Sequence, residues 1–373
     1  MNNLVCSRCE KKFSLNDRIW RCECGGSLDI HFEGQFPIDD IKKRKHTLWR
    51  YREAIPIQND SNIISFDEGF TPLLKMDFGG KLIFIKQDYL FPTGSFKDRG
   101  AAVLISKMKE LGVKKVVEDS SGNAGCAVAA YCARAYIDCE IFVPESTVPG
   151  KLTQIQLYGA HLNRIPGSRE DTAHAAIKAA EKNYYASHYW NPFFIHGTKT
   201  FAFEVCEQLE WRSPDSVVLP IGNGSLLLGA YTGFNELLSA HIIDRLPRFI
   251  GIQSEGCAPV AEAFKKNLNE IPTIDKKKTI AEGIAIAEPT RGLQILEAVR
   301  KTGGEVITVN DSEIIRSLTE MCKRGFFMEP TSAATIAGMK KYLKKSTTAE
   351  KIVSTITGHG LKTTEKMAML LNE

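Results

Sequence analysis

The sequence predicts an α/β protein built on mostly parallel sheets. Short segments rich in β-branched residues alternate along the chain with longer segments whose apolar residues recur at helical spacing. Such alternation requires parallel strand pairing through right-handed crossovers, with helices on both faces of a sheet. The length of 373 residues gives room for roughly two to three domains.

The individual strands and helices follow from the β-branched segments and from the helical spacing of apolar residues. The segments expected to form strands are Lys81–Lys86, Lys115–Asp119, Cys139–Val143, Ser216–Pro220, Arg248–Gln253, Glu305–Val309 and Lys351–Thr355. The segments expected to form helices are Lys97–Leu111, Ala124–Ala135, Asp171–Lys182, Leu226–Ala240, Pro259–Lys266 and Asp311–Arg324. Ligands of parallel α/β sheets bind at the carboxyl ends of strands, so the loops that follow the strands are where chemistry is expected.

Composition and charge exclude several classes of protein. With 43% apolar and 25% charged residues the chain can bury a sizeable core, unlike a disordered or fibrous protein. The net charge of +4 provides no footprint for nucleic acid or an anionic membrane. No apolar run approaches the ~18 residues of a membrane span, and the first residues lack the apolar core of a signal peptide. We therefore expect a cytoplasmic protein.

Four of the ten cysteines lie within the first 24 residues, as Cys6, Cys9, Cys22 and Cys24. Their spacing, C-x2-C-x12-C-x-C, is typical of two turns that close a tetrahedral metal site, and zinc is the expected ion. Four protein ligands leave no coordination position for water or a substrate, so such a metal site would be structural. Thiols without metal remain the alternative. The other six cysteines are scattered, mostly among apolar neighbours, and are interpreted as small hydrophobes: Cys126, Cys132, Cys139, Cys206, Cys257 and Cys322.

The first candidate loop contains Lys97 in the sequence PTGSFKDRG. Ser95 and Asp98 have the spacing of a capping box, which places Lys97 in the first turn of a helix. The helix dipole disfavours a cation there, and partial burial depresses the pKa of an amine, as Schiff-base chemistry requires. A solvated lysine beside Asp98 is the alternative.

Two further loops precede helices and are rich in small residues. Ser120–Gly125 (SSGNAG) allows a close backbone approach to a ligand, and its helix-start amides suit an anion; an Asx-type cap by Asn123 is the alternative. Gly222–Leu226 (GNGSL) follows a strand and has phosphate-cradle character. It matches neither a P-loop nor a dinucleotide fingerprint, which argues against a nicotinamide oxidoreductase.

The last loop, Thr357–Lys362 (TGHGLK), again follows a strand. The Thr357 hydroxyl and the neighbouring glycines could contact a flat ligand. His359, taken alone, is interpreted as a structural histidine.

Together and in this order, the four loops resemble those of the pyridoxal-phosphate enzymes of the tryptophan-synthase-β family, fold type II. Within that family the likeness is strongest to the threonine synthases. Glu68–Leu73 (EGFTPL), Thr47–Tyr51 (TLWRY) and the N-terminal cysteine ribbon also resemble that group, so the likeness spans nearly the whole chain. The resemblance implies two open, twisted, mostly parallel sheet domains with an N-terminal zinc-ribbon-like segment.

The resemblance also implies residue roles toward pyridoxal 5′-phosphate. Lys97 would form the Schiff base and later move protons, Asn123 would bind the ring hydroxyl oxygen, and Thr357 would face the pyridine nitrogen. The phosphate would be held by Gly222, Asn223, Gly224, Ser225 and Leu226. The substrate carboxylate would be held by Ser120, Ser121 and Gly122.

The implied reaction is conversion of O-phospho-L-homoserine and water to L-threonine and phosphate. Two departures weaken this assignment: Ala124 replaces a hydroxyl residue, and Phe194 stands where a basic residue meets the substrate phosphate. Compensation could come from another basic residue, namely Lys151, Arg164, Arg169, Lys199 or Arg291. The alternatives are another fold type II activity, such as a serine/threonine dehydratase or a β-replacing synthase like cysteate synthase, and a non-catalytic binding protein.

The expected domains are residues 1–45 as ribbon and linker, 46–101 with 201–373 as the large cofactor domain, and 102–200 as a small mobile substrate domain. The expected partner is a small amino-acid substrate, and neither nucleic acid nor a membrane is expected. The resemblance favours a homodimer.

Overall fold

The computed structural model describes residues 2–147, 149–167 and 169–371, and its strands form three sheets. The strands are β1 (Asn3–Cys6), β2 (Lys12–Phe13), β3 (Leu28–His31), β4 (Leu73–Phe78), β5 (Lys81–Lys86), β6 (Lys115–Glu118), β7 (Asp138–Pro144), β8 (His161–Ile165), β9 (Tyr184–Tyr185), β10 (Ser216–Pro220), β11 (Arg248–Ser254), β12 (Glu305–Val309) and β13 (Ile352–Thr355).

Helices lie between most of these strands along the chain. They are α1 (Ile38–Lys43), α2 (Lys97–Glu110), α3 (Asn123–Ala135), α4 (Pro149–Leu157), α5 (Arg169–Ala179), α6 (Pro192–Thr198), α7 (Thr200–Gln208), α8 (Ser225–Ser239), α9 (Pro259–Lys265), α10 (Gly292–Lys301), α11 (Asp311–Lys323), α12 (Pro330–Leu343) and α13 (Thr364–Leu371). The predicted α/β class with mostly parallel sheets is confirmed. None of the described helices is long and apolar enough to span a membrane.

The chain forms two compact units. Unit 1 comprises Met1–Phe70 and Phe91–Thr200, and unit 2 comprises Thr71–Leu90 and Phe201–Glu373. The domain limits given above, with a mobile segment at 102–200, stay a prediction.

Unit 2 contains a six-stranded sheet in the order β12-β11-β10-β13-β5-β4. All its pairs are parallel except β4 with β5, which form a hairpin. Gly79 and Gly80 make the two-residue turn of that hairpin, and both have the positive φ angles (66° and 85°) that this turn requires. Strand β10 is buried along its whole length, as expected for a central parallel strand covered on both faces.

Unit 1 contains the parallel sheet β8-β7-β6-β9 and the antiparallel ribbon sheet β2-β1-β3. The ribbon shares its hydrophobic core with the rest of the unit, since Leu4, Leu28 and Ile30 belong to the same buried cluster as Leu104 and Met108 of α2. Each such side chain contributes roughly 1.5–3 kcal/mol when it is buried. The ribbon is therefore part of the folded unit and not a tethered appendage.

Helix α2 lies at the centre of unit 1 and is buried from Asp98 to Met108. It packs against α6 at two glycines. A Cβ at Gly100 would lie 2.3 Å from the ring of Phe194, and a Cβ at Gly197 would lie 2.1 Å from the carbonyl oxygen of Arg99. These glycines allow a closer helix approach than any other residue would permit.

Candidate active site

The loop before α2 is organised by Asp98 and not by Ser95. The Asp98 carboxylate accepts hydrogen bonds from the backbone N–H of Thr93 (2.8 Å) and from its hydroxyl. The N-cap position belongs to Phe96, with no side-chain cap, and the buried Ser95 hydroxyl has no hydrogen-bond partner among the described residues. The expected capping box is therefore wrong, although the helix does start at Lys97.

Lys97 is a partly buried amine in an apolar environment. Its Nζ lies 4.9 Å from the ring centroid of Phe96 and 5.5 Å from that of Phe194. Desolvation by the surrounding protein lowers the pKa of Lys97 to about 7, and the negative charge of the Glu118 carboxylate opposes this shift. A large fraction of this amine is thus neutral and nucleophilic near neutral pH, unlike an ordinary lysine.

Two buried carboxylates follow one another at the end of β6. His188 Nδ1 lies 2.7 Å from Glu118 Oε1, and the Tyr189 hydroxyl donates to Asp119 at 3.0 Å. This cluster lies immediately before the Ser120–Gly125 loop. Sequence reasoning missed it, because His188 and Tyr189 are about 70 residues from their partners.

The loop after β6 folds tightly onto itself before α3. Gly122 takes the N-cap position without a side-chain cap, so Asn123 begins the helix and the alternative of an Asx cap does not apply. A Cβ at Gly125 would lie 1.9 Å from the carbonyl oxygen of Ser120, which explains the glycine. Ser120, Ser121 and Asn123 are partly exposed at the start of a 13-residue helix, where backbone N–H groups favour an anion.

In unit 2 the Gly222–Leu226 segment connects β10 to the start of α8. Gly224 is the N-cap with a φ of +77°, and a Cβ there would lie 2.2 Å from the side chain of Ile295. A Cβ at Gly222 would meet the carbonyl oxygen of Gly283 at 3.0 Å. Both glycines are therefore required by close packing against other residues of unit 2, and the first turn of α8 has backbone N–H groups without intrahelical acceptors.

Thr357 follows β13 in unit 2 and is buried, with 3% of its surface exposed. Its hydroxyl lies 3.1 Å from that of Ser332, near the start of α12. Ser332 also accepts hydrogen bonds from the backbone N–H groups of Thr357 (3.0 Å) and Gly358 (3.2 Å). Sequence reasoning missed Ser332; the available signal was the helix start after Glu329-Pro330, with proline at the first helical position.

His359 packs as a structural residue. Its Nδ1 accepts the backbone N–H of Leu361 at 3.2 Å, and its ring lies near those of Tyr89 and Phe327.

The four N-terminal cysteines come together in unit 1. The sulfurs of Cys6 and Cys24 are 3.5 Å apart, those of Cys9 and Cys22 are 3.6 Å apart, and all four lie within 4.8 Å of one another. A tetrahedral ion with Zn–S bonds of ~2.3 Å separates its sulfurs by ~3.8 Å. A Cβ at Gly26 would lie 2.6 Å from the Cys6 sulfur, so glycine is required beside the cluster. This cluster could hold a metal ion.

The two departures from the threonine synthase pattern are both buried. Phe194 has no exposed surface and packs on Gly100, while Ala124 is 2% exposed in the first turn of α3.

The basic residues considered as substitutes differ in their environments. Lys199 is buried, and its Nζ lies 2.9 Å from His196 Nδ1. Arg291 is also buried and donates a hydrogen bond to the side chain of Gln294. Arg164 is exposed and donates to the carbonyl oxygen of Glu145. Lys151 is partly buried, and the side chain of Arg169 lies outside the described residues.

The family described as "Pyridoxal-phosphate dependent enzyme" matches residues 64–358. The chain belongs to this family, and its cofactor is pyridoxal phosphate. Within the family it is 39% identical to a threonine synthase of Methanocaldococcus jannaschii, covering 96% of this chain and 92% of that protein. A threonine synthase of Methanosarcina acetivorans is 34% identical, over 97% and 92% of the two chains.

Solved structures show the same fold. The processed form of threonine deaminase isoform 2 from Solanum lycopersicum superposes with a TM-score of 0.71 at 21% identity, covering 92% of this chain and 90% of that chain. Maize serine racemase superposes with a TM-score of 0.68 at 23% identity, covering 81% and 92%. The predicted family resemblance is confirmed. The lowered pKa of Lys97 fits an aldehyde cofactor, and the start of α8 after Gly224 fits its phosphate.

Proposed function

We propose that the protein converts O-phospho-L-homoserine and water to L-threonine and phosphate. Near-full-length similarity to proteins named threonine synthase supports this substrate. The observation that carries the chemistry is the Lys97 amine with its pKa of about 7, because such an amine can both bind an aldehyde and exchange protons near neutral pH.

Pyridoxal phosphate, when bound, acts as an electron sink that stabilises negative charge at the substrate α-carbon. Lys97 would hold the cofactor aldehyde in the resting enzyme. Once substrate amine replaces it, the neutral Lys97 amine would remove a proton from carbon and later return it. Asn123 would orient the cofactor through its ring hydroxyl oxygen.

Anion binding is assigned to the two helix starts. Ser120, Ser121 and Gly122, before α3, would hold the substrate carboxylate. The backbone of Gly222–Leu226, before α8, would hold the cofactor phosphate through the N–H groups that begin this helix. Both assignments use backbone N–H groups that are oriented by the fold before the ligand arrives.

We further propose that Cys6, Cys9, Cys22 and Cys24 bind a structural zinc ion. Four thiolates complete a tetrahedron, so the ion takes no part in the reaction.

A second candidate function is elimination or replacement on a hydroxy-amino acid that carries no phosphate. The specific observation is Phe194, whose buried ring lies 5.5 Å from Lys97 Nζ at the position where a basic residue was expected. Loss of a charged partner for a desolvated phosphate costs roughly 2–5 kcal/mol unless another cation replaces it.

Borohydride trapping and a substrate panel test both candidates. Reduction of the holoenzyme followed by peptide mapping is expected to locate a pyridoxyl group on Lys97. Lys97→Ala is expected to lose the visible cofactor band and turnover, whereas Lys109→Ala, on the exposed side of the same helix, keeps both.

Threonine and phosphate formed from O-phosphohomoserine support the first function. Pyruvate or 2-oxobutyrate formed from free serine or threonine supports the second. An adduct at any other residue contradicts both.

A further inference from the structure

Ser332 lies where the start of α12 meets the segment after β13 in unit 2, and its hydroxyl contacts three polar atoms of that segment. It is buried in the first turn of α12, and its Oγ is 3.0 Å from the Thr357 nitrogen, 3.2 Å from the Gly358 nitrogen and 3.1 Å from Thr357 Oγ1. The loop is also fixed by its backbone, because the N–H of Glu329 donates to the carbonyl oxygen of Gly358 at 2.9 Å.

The direction of the hydroxyl–hydroxyl bond follows from a count of protons and lone pairs. A serine hydroxyl has two acceptor lone pairs and one donor proton. The two backbone N–H groups can only donate, so they occupy both lone pairs of Ser332. Its proton is therefore directed to Thr357 Oγ1, which accepts it.

This arrangement leaves the Thr357 proton directed away from Ser332. Within the described part of the chain, Thr357 Oγ1 makes no hydrogen bond other than the one to Ser332. A buried hydroxyl that lacks an acceptor is unfavourable, so a ligand atom that accepts a hydrogen bond is the natural partner.

We propose that Ser332 is a positioning residue that fixes Thr357 as a hydrogen-bond donor toward the ring nitrogen of the cofactor. The inference rests on the proposed function, in which Thr357 faces that nitrogen. A nitrogen that accepts a hydrogen bond uses its lone pair and stays unprotonated. Ser332 thereby sets the electronic state of the cofactor ring without contacting it.

The test uses holoenzyme reconstituted with pyridoxal phosphate labelled with 15N in the ring. The 15N chemical shift is followed against pH in the wild type and in Ser332→Ala. The matched control is Ser354→Ala, which removes another fully buried serine hydroxyl of unit 2, one that donates to the carbonyl oxygen of Val218.

The wild type and Ser354→Ala are expected to keep the shift of an unprotonated ring nitrogen. Ser332→Ala is expected to move toward the protonated value as the pH falls, with the protonation equilibrium changed about tenfold, as for loss of one hydrogen bond. An identical titration in wild type and Ser332→Ala overturns the proposal, and so does an equal change in Ser354→Ala.

A second measurement needs no cofactor. In the apoprotein, the amides of Thr357 and Gly358 are expected to exchange hydrogen roughly five- to tenfold faster in Ser332→Ala than in the wild type. Unchanged protection overturns the proton count on which the proposal depends. Failure of the wild type to bind the labelled cofactor would instead overturn the proposed function, and the role of Ser332 with it.

Discussion

The lowered pKa of Lys97 makes a quantitative prediction about how the apoprotein takes up its cofactor. An amine with a pKa of about 7 is half neutral at pH 7. An ordinary lysine is only roughly 0.03% neutral at that pH. The rate of cofactor attachment to Lys97 should therefore exceed that of a surface lysine by about a thousandfold. It should also fall about tenfold for each pH unit below 7 and reach a plateau above it.

Glu118→Gln tests the electrostatic part of this reasoning. The Glu118 carboxylate favours the charged form of Lys97 and partly offsets the effect of desolvation. Its neutral replacement should lower the pKa of Lys97 further and move the midpoint of the rate profile to lower pH. Glutamine has nearly the same shape and can still accept a hydrogen bond from His188.

The assay is the growth of the visible band after pyridoxal phosphate is mixed with apoprotein between pH 5.5 and 9. The rate at which a free alkylamine of known pKa attaches the same cofactor, measured at each pH, corrects for the titration of the free cofactor and leaves the midpoint of each protein visible. Asp119→Asn is the matched control, since it neutralises the adjacent buried carboxylate, which accepts from Tyr189. A midpoint near 10, or a shift to higher pH in Glu118→Gln, would refute the reasoning.

Three further predictions concern stability and metal. Gly100→Ala should lower the free energy of unfolding by about 1–3 kcal/mol, measured in urea, because the new methyl group meets the ring of Phe194. Glu204→Ala should cost about 3–5 kcal/mol, because it leaves the fully buried Lys86 ammonium without the carboxylate now 2.7 Å away. Cys9→Ser should reduce bound zinc from about one ion per chain toward zero while cofactor binding is retained.

Two control variants accompany the predictions for Glu204→Ala and Cys9→Ser. Glu262→Gln removes the carboxylate of an exposed pair with Lys266, so its effect should stay below ~1 kcal/mol. Cys322→Ser removes an exposed thiol outside the cluster and should leave the metal content unchanged. Equal effects in the variants and their controls would mean that burial and sulfur geometry do not govern these sites.

The parallel core could be predicted because its strands carry the signal themselves. Ser216–Pro220, Lys81–Lys86 and Glu305–Val309 have the predicted bounds in the structure. Each is rich in β-branched or aliphatic residues, and Ser216–Pro220 is also buried along its whole length, as a central parallel strand should be. Seven of the described helices were not predicted, namely α1, α4, α6, α7, α10, α12 and α13. Helix α12 is buried on most sides, so it lacks the contrast between apolar and polar faces that reveals a helix.

Contacts between distant parts of the chain could not be predicted. The pairing of Ser332 with Thr357 spans 25 residues, and that of Glu118 with His188 spans 70. Local reasoning also assigned Ser95 as a cap, whereas the structure uses Asp98 to hold Thr93. A local motif limits which bonds are possible, but the surrounding packing decides which of them form.

Phe194 shows why the amine chemistry and the substrate are separate questions. A cation at that position would lower the pKa of Lys97 by repulsion, and the buried ring lowers it by excluding water, so either residue supports a neutral amine. Only the cation could also bind a substrate phosphate. The lowered pKa is therefore compatible with both proposed reactions, and turnover of O-phosphohomoserine is the measurement that separates them.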